Sequence, residues 1–329
     1  MVATIRFHET GGPDVLRRED LPVRPPGPGE VRIRVQAIGL NRADVNFRRG
    51  TYPIEPVLPA GLGVEAAGVI VEVGPEVDRW SAGDAVCVLP ASSPNEHPLY
   101  AEEAVVPAAA LVARPEGQDA VTAAATWMPY LTVFGMVAEA VRVRPGDRVL
   151  VTAAANSIGM AALQVLRPLG AVVVATGAAP QHPALNDLGA AAVLERPDPD
   201  AVRAGFGGHD ADLVLDAVGG PGVHELAAIC RPGGTLIVHG GLSGQPTPLP
   251  GGARSVWVRR YHVHEVTRSP EVLRRAEHFV RAGLAAGTLV PLVDRTFDFH
   301  DLDQVRAAHD YLESADRGPG KPVLVVRSG

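Results

Sequence analysis

Cysteine is scarce in this sequence: only Cys87 and Cys230 occur in 329 residues. Two thiols are too few for a disulfide framework or a four-cysteine zinc site. Both are read as buried thiols. No apolar run reaches the ~18 residues that a membrane-crossing helix needs, so no membrane partner is expected. The first residues carry Arg6, His8 and Glu9 and lack the apolar stretch of a signal peptide. A cytoplasmic location is therefore expected. Long basic runs are also missing, and the formal net charge is −7. That balance argues against nucleic acid or an anionic membrane surface as the main partner. An anionic cofactor would need a local positive site. Internal repeats and low-complexity segments are absent as well.

What is present is an ordinary globular composition, 46% hydrophobic and 20% charged. The length suggests two domains with a sizeable core. The first third reads as β-rich. Val31-Arg32-Ile33-Arg34-Val35 alternates like a half-buried strand, and Val69 to Val73 is a more apolar one. Gly74-Pro75 and Gly83-Asp84 mark turns, the second before the strand Ala85-Val86-Cys87-Val88. This spacing suits a small barrel or sandwich.

The pattern changes near residue 120. Ala120 to Ala140 has helical composition with an interruption expected at Pro129. Strands are predicted at 148–153, 171–176, 212–216 and 235–239, with helices at 159–169 and 183–189. Strands alternating with helices imply βαβ units and a doubly wound parallel sheet. After residue 290 short strands return, ending in Pro322 to Val326. The tail is expected to rejoin the first domain. The predicted division is 1–121 plus 291–329 for the β-rich domain and 122–290 for the α/β domain.

The strand ending at Ala153 runs into Ala154-Ala155-Asn156-Ser157-Ile158-Gly159. A dinucleotide fingerprint would place glycines at 154, 156 and 159. Only Gly159 is one, and it would allow close packing of helix on strand. Asn156 stands where the backbone must approach a pyrophosphate, and Asn visits positive φ more readily than most residues. The helix N-terminus would offer N–H groups and a positive dipole end to phosphate. On spacing alone, a purely structural strand–turn–helix explains the segment equally well. After the next strand, Thr176-Gly177 replaces the carboxylate that would bind the ribose hydroxyls of NAD. Gln181 and His182 are the nearest polar groups. Arg196, after the following strand, could serve a 2′-phosphate or be a solvated surface arginine.

Several ordered motifs together resemble the quinone oxidoreductases of the medium-chain dehydrogenase/reductase superfamily. They are Asn41-Arg42-Ala43-Asp44, Arg49-Gly50-Thr51-Tyr52-Pro53, Leu58 to Gly68, Gly83-Asp84-Ala85-Val86, Leu131-Thr132, Asp216 to Gly220 and Gly320-Lys321-Pro322-Val323. The resemblance covers essentially the whole chain. It implies an α/β fold in which a Rossmann doubly wound parallel sheet is inserted into a GroES-like β-rich catalytic domain. It also implies a homodimer. Zinc-dependent relatives place a cysteine where Asn41 stands and a histidine where Val64 stands, and neither residue here is a zinc ligand. A zinc-free enzyme is therefore expected. His262-Val263-His264, read as alternate residues on one strand face, has no evident carboxylate or cysteine partner for a metal.

The resemblance further implies cofactor contacts from Asn41, Thr132, Ala155, Asn156, Ser157, Ile158, Gly159, Thr176, Gly177, Arg196, Val218, Gly240, Gly241 and Leu242. For Thr132 a helix N-cap is the alternative role. The family's phosphate-reading lysine and tyrosine positions hold Gln181 and Arg196. NADPH is favoured over NADH because the carboxylate reader is missing. The expected reaction is hydride transfer to a quinone or an α,β-unsaturated carbonyl. Asn41 and Tyr52 are the expected polar catalytic groups, although Asn41 could instead fix the ribose or a loop. Trp127, Met128 and Tyr130, with Tyr52, would line the substrate or pack in the core. Other readings remain: an enoyl-thioester or polyketide-tailoring reductase, a redox-neutral tailoring enzyme on the same scaffold, and a non-catalytic nucleotide-binding or RNA-binding protein, the acidic balance counting against RNA.

Overall fold

The computed structural model describes residues 1–252, 254–314 and 317–326. Residues 327–329, at the end of the predicted segment 291–329, lie outside the described residues. The chain forms two compact units. One takes the described residues of Met1–Met128, Pro291–Arg317 and Lys321–Gly329, and the other takes Pro129–Val290 and Gly318–Gly320.

The first unit is β-rich. Its larger sheet runs Val293–Asp298, Lys321–Val325, Glu30–Gly39, Ala66–Val73, Ala85–Val88 and Leu111–Ala113, with Glu103–Pro107 also paired to Glu30–Gly39. A smaller sheet joins Leu16–Leu21, Val2–Phe7 and Ala60–Gly61. The alternation read in the sequence is real: Val31, Ile33 and Val35 are buried, while Arg32 and Arg34 are not. Their side chains join Ile5, Phe7, Ile38, Phe47 and Phe299 in one core. Two register shifts bend Glu30–Gly39 against Ala66–Val73, as bulges do.

The second unit is a six-stranded sheet in the order Ala192–Leu194, Val172–Thr176, Arg148–Val151, Ala211–Asp216, Cys230–Val238 and Trp257–Arg260. Every pairing in it is parallel. The chain winds outward from Arg148–Val151 on one side, then crosses back to build the other. Strand order thus reverses between Arg148–Val151 and Ala211–Asp216, the place where open parallel sheets bind ligands beyond their carboxyl ends.

Two local expectations change. The apolar stretch breaks at Ala125–Thr126 rather than at Pro129, giving helices Ala120–Ala124 and Trp127–Phe134 followed by the wider-wound turn Gly135–Ala140. Pro129 falls in a helix's first turn, where its missing N–H removes no intrahelical bond. Taken as one segment, Ala120–Ala140 is long and apolar enough to cross a membrane, contrary to the sequence reading, but 83% of its apolar window is buried inside the protein. His262-Val263-His264 is not a strand. His264 opens the short helix His264–Thr267, and the two imidazoles stack at 4.5 Å. No metal-holding cluster of His, Cys, Asp and Glu occurs among the described residues.

Candidate active site

In the first unit, the strand Glu30–Gly39 delivers Asn41 to the N-cap of the helix Arg42–Arg48. The Asn41 backbone N–H donates to the Asp44 carboxylate at 2.8 Å. Asp44 thus does the reciprocal work of a capping box, and the Asn41 side chain turns inward. Its Nδ2 donates to the Gly39 carbonyl at 3.0 Å and more weakly to Glu65 Oε2 at 3.4 Å. Its Oδ1 accepts from Lys321 Nζ at 2.8 Å. An ammonium has donors only, so Lys321 fixes which end of the amide faces it. Lys321 also donates to Glu65 Oε2, and Glu65 Oε1 accepts the Met128 N–H at 2.7 Å. Glu65 and Lys321 are both fully buried. Gly39 makes room for this network: a Cβ there would lie 2.1 Å from the Ala124 carbonyl oxygen and 2.9 Å from Glu65 Oε2 and Lys321 Cε.

Sequence motifs point to Asn41 but assign no role to Glu65 or Lys321, which occur only inside longer motifs. A signal was available. Lys321 is the only lysine among 30 Lys and Arg residues. A chain that uses arginine for every other cation places its one compact point charge in the interior.

Asp44 is also buried, and loss of solvation lifts its carboxyl to about 7. The Asn41 N–H, Lys321 and the Gly63 N–H act in the opposite direction, while Glu65 adds to the rise. A carboxyl raised in the folded state binds more protons there than in the unfolded chain. Its contribution to stability is therefore greatest below the unfolded value of 3.8 and falls as pH rises toward about 7. Asp44→Asn is expected to flatten the stability profile between those limits. Chemical denaturation of both proteins across that range checks it, and an unchanged slope in the variant would refute the assignment.

Tyr52 is half-buried, with its ring edge-on to Phe47 at 6.3 Å and its N–H donated to the Asn46 carbonyl at 3.1 Å. Trp127 and Met128 are buried at the end of this unit. Tyr130 and Thr132 belong to the second unit and are buried in the helix Trp127–Phe134. Thr132 lies in the body of that helix, which removes the N-cap alternative. Tyr130 donates its hydroxyl to Gln164 Oε1 at 3.1 Å, and burial pushes its pKa up.

In the second unit, the strand ends gather the other expected residues. Asn156 does not take a positive φ. Its backbone is extended, and its Oδ1 accepts the N–H groups of Ile158 and Gly159 at 2.9 and 3.0 Å. It is an N-cap, so two of the N–H groups expected to face phosphate are already bonded within the protein. The left-handed residue is Ala153, at φ 46°. The Thr176 hydroxyl accepts its N–H at 3.0 Å, and the Asn156 side chain holds its carbonyl at 2.7 Å. Gly159 behaves as expected, since a Cβ would meet Ala154 Cα at 2.5 Å.

Asp216 organises the neighbouring turn. Its carboxylate accepts the Thr152 hydroxyl at 2.6 Å and the N–H groups of Val218 and Gly219 at 3.0 and 2.8 Å. The loop after Cys230–Val238 is tied alongside, with Leu242 N–H on the Ala217 carbonyl at 3.2 Å and Ser243 N–H on Val218 at 2.9 Å. Gly240 is required here because a Cβ would sit 2.2 Å from the Ala217 oxygen. Residues 153–159, 217–220 and 240–243 thus converge at the strand-order reversal. Beside Gly177, Gln181 Oε1 accepts the Ala178 N–H at 3.0 Å and His182 Nε2 lies 3.0 Å from the Gly177 carbonyl. Arg196 is exposed beyond the strand Ala192–Leu194.

Comparison with known proteins agrees with this geometry. Residues 27–116 match the alcohol dehydrogenase GroES-like domain, and residues 188–324 match a family described as zinc-binding dehydrogenase. The chain is 35% identical to the synaptic vesicle membrane protein VAT-1 homolog of Rattus norvegicus, over 89% of this chain and 77% of that protein. It spans 62% of the length of the Mus musculus counterpart. It is 31% identical to a quinone oxidoreductase of Pseudomonas aeruginosa, over 99% of this chain and 100% of that one. A mycobacterial protein solved in complex with NADPH superposes with a TM-score of 0.90 at 31% identity, covering 99% of this chain and 100% of the other. The chain therefore belongs to the medium-chain dehydrogenase/reductase family, in its quinone oxidoreductase-like branch, and is an NAD(P)H-dependent oxidoreductase.

Proposed function

We propose that this protein reduces a quinone or an α,β-unsaturated carbonyl with NADPH, without a catalytic zinc. The observation that carries the zinc-free part is the Lys321–Asn41 bond at 2.8 Å. Where zinc-dependent relatives would place a metal ligand, this chain holds an amide polarised by its own buried cation. The dinucleotide fits the second unit on three counts. Glycines at 159 and 240 let the helix start and the neighbouring loop pack tightly on Ala154 and Ala217 at the strand ends, Thr176-Gly177 carries no carboxylate to exclude a 2′-phosphate, and Arg196 offers an exposed cation. When bound, NADPH supplies a hydride from C4 of its nicotinamide to an electron-poor substrate carbon.

The chain's own groups stabilise the oxygen that gains charge. Lys321 draws electron density from Asn41 Oδ1, which strengthens the amide N–H groups as donors. One of these is held firmly by Gly39. The other makes only the 3.4 Å contact with Glu65, so it is the more weakly engaged donor and the one assigned to a substrate oxyanion. Asn41 has no proton to release. Tyr52 is the phenol that returns one, in competition with water. Family resemblance supports a homodimer.

The test is NADPH oxidation with quinones and enones after removal of metals by chelation. Retained turnover supports the proposal, and failure of both NADPH and NADH to bind overturns it. Tyr52→Phe is expected to lower kcat by about 100-fold; unchanged kcat and kcat/KM would eliminate the Tyr52 role. Arg196→Ala is expected to raise KM for NADPH by about 3–5-fold, as loss of an exposed ion pair should, and to leave KM for NADH unchanged. Equal effects on both cofactors would show that Arg196 does not read the 2′-phosphate.

A further inference from the structure

Three side chains of the first unit meet in its interior without completing one another's hydrogen bonds. Arg48 ends the helix Arg42–Arg48, Tyr100 precedes the strand Glu103–Pro107, and His309 lies in the helix Leu302–Glu313. All three are fully buried. Tyr100 meets the His309 ring edge-on at 5.8 Å, and the Arg48 charge acts on both rings. Arg48 gives Nε to the Gly11 carbonyl at 3.1 Å and Nη2 to Glu313 at 2.5 Å. Arg48 Nη1, the Tyr100 hydroxyl and both His309 ring nitrogens remain buried without a protein partner. Folded proteins rarely leave such atoms unsatisfied; where the protein supplies no partner, ordered water does.

We propose that Arg48, Tyr100 and His309 enclose an internal hydration site, whose waters bridge the guanidinium, the phenol and the imidazole. The chemistry favours water over a small anion. Burial and the neighbouring Arg48 hold His309 neutral, with its pKa down at about 3. A neutral imidazole offers one N–H and one lone pair. The lone pair needs a donor, which water supplies and a halide does not. The two ring nitrogens face opposite ways, so each takes its own water. The site lies against the helix whose Asp44 holds Asn41, and its waters complete the hydrogen bonding at the far end of that helix. It stands on the packing of one unit and does not depend on the proposed reaction.

Tyr100→Phe tests it by the sign of its effect. If the hydroxyl is bonded to water, its removal strands that water, and Tm is expected to fall by about 2–4 °C. If the hydroxyl is unsatisfied, its removal relieves the fold, and an unchanged or higher Tm overturns the proposal. His309→Gln keeps a donor and an acceptor, so it is expected to melt above His309→Leu; the reverse order also overturns it. A crystal structure of the unmodified protein should show ordered water within hydrogen-bonding distance of the Tyr100 hydroxyl and His309. A dry chamber, or an anomalous peak there after a bromide soak, would refute the site.

Discussion

Lys321→Met is expected to destabilise the protein by about 3–5 kcal/mol at neutral pH, the usual cost of leaving one member of a buried ion pair alone. The Glu65 carboxylate would remain in the interior with the Met128 N–H as its chief partner, supplemented by the long Asn41 contact. Asn41 would lose the donor that orients its amide. Methionine fills most of the lysine's apolar volume, so the loss reports charge rather than a cavity. Combining it with Glu65→Gln should recover a large part of the stability, because the second change removes the stranded charge. Denaturant unfolding of the parent, both single variants and the double variant gives the coupling directly. A cost below about 1 kcal/mol for Lys321→Met would match a weak surface bridge and refute the expected penalty of leaving Glu65 unpaired.

The second large effect is expected at the start of the helix Ser157–Leu166. Gly159→Val would place a branched side chain where even a Cβ meets Ala154 Cα and O at 2.5 Å. Those neighbours are backbone atoms of the turn and cannot rotate away. The helix must lift from the strand end, at about 3 kcal/mol for forced overpacking. The same displacement breaks the Asn156 cap and moves the loop that the proposal assigns to the dinucleotide. Affinity for NADPH should fall more than about tenfold, while the first unit keeps its fold. Calorimetric titration with NADPH, alongside circular dichroism, checks both halves. A variant that binds NADPH like the parent would remove this loop from the cofactor site.

A residue's role is legible in the sequence where it follows from local geometry. Gly159 was recognised because a helix packed on a strand end has no space for a Cβ. Val31, Ile33 and Val35 were recognised because a strand has a period of two. Asn41 was singled out by family motif, but its surroundings were not legible. Its Oδ1 partner is 280 residues away in sequence and its Glu65 partner 24 away. At Asn156 the expected left-handed backbone is replaced by an N-cap: its side chain could bond the helix start or its backbone could turn left-handed, and local sequence does not choose between these. The turn placed the strained conformation at Ala153, where the Thr176 hydroxyl and the Asn156 side chain hold it.

By itself, then, the sequence determined the alternation of strands and helices, the parallel sheet and the scarcity of cysteine, each a matter of composition or short-range period. Only the tertiary structure decided what the single lysine does. The strand Lys321–Val325 pairs antiparallel with Glu30–Gly39, setting Leu324 opposite Ile38 and Val323 opposite Gly39. That register carries Lys321 to Asn41 and Glu65 and buries all three. A buried charge is tolerable only with a partner close at hand, and the partner comes from strand pairing across the length of the chain.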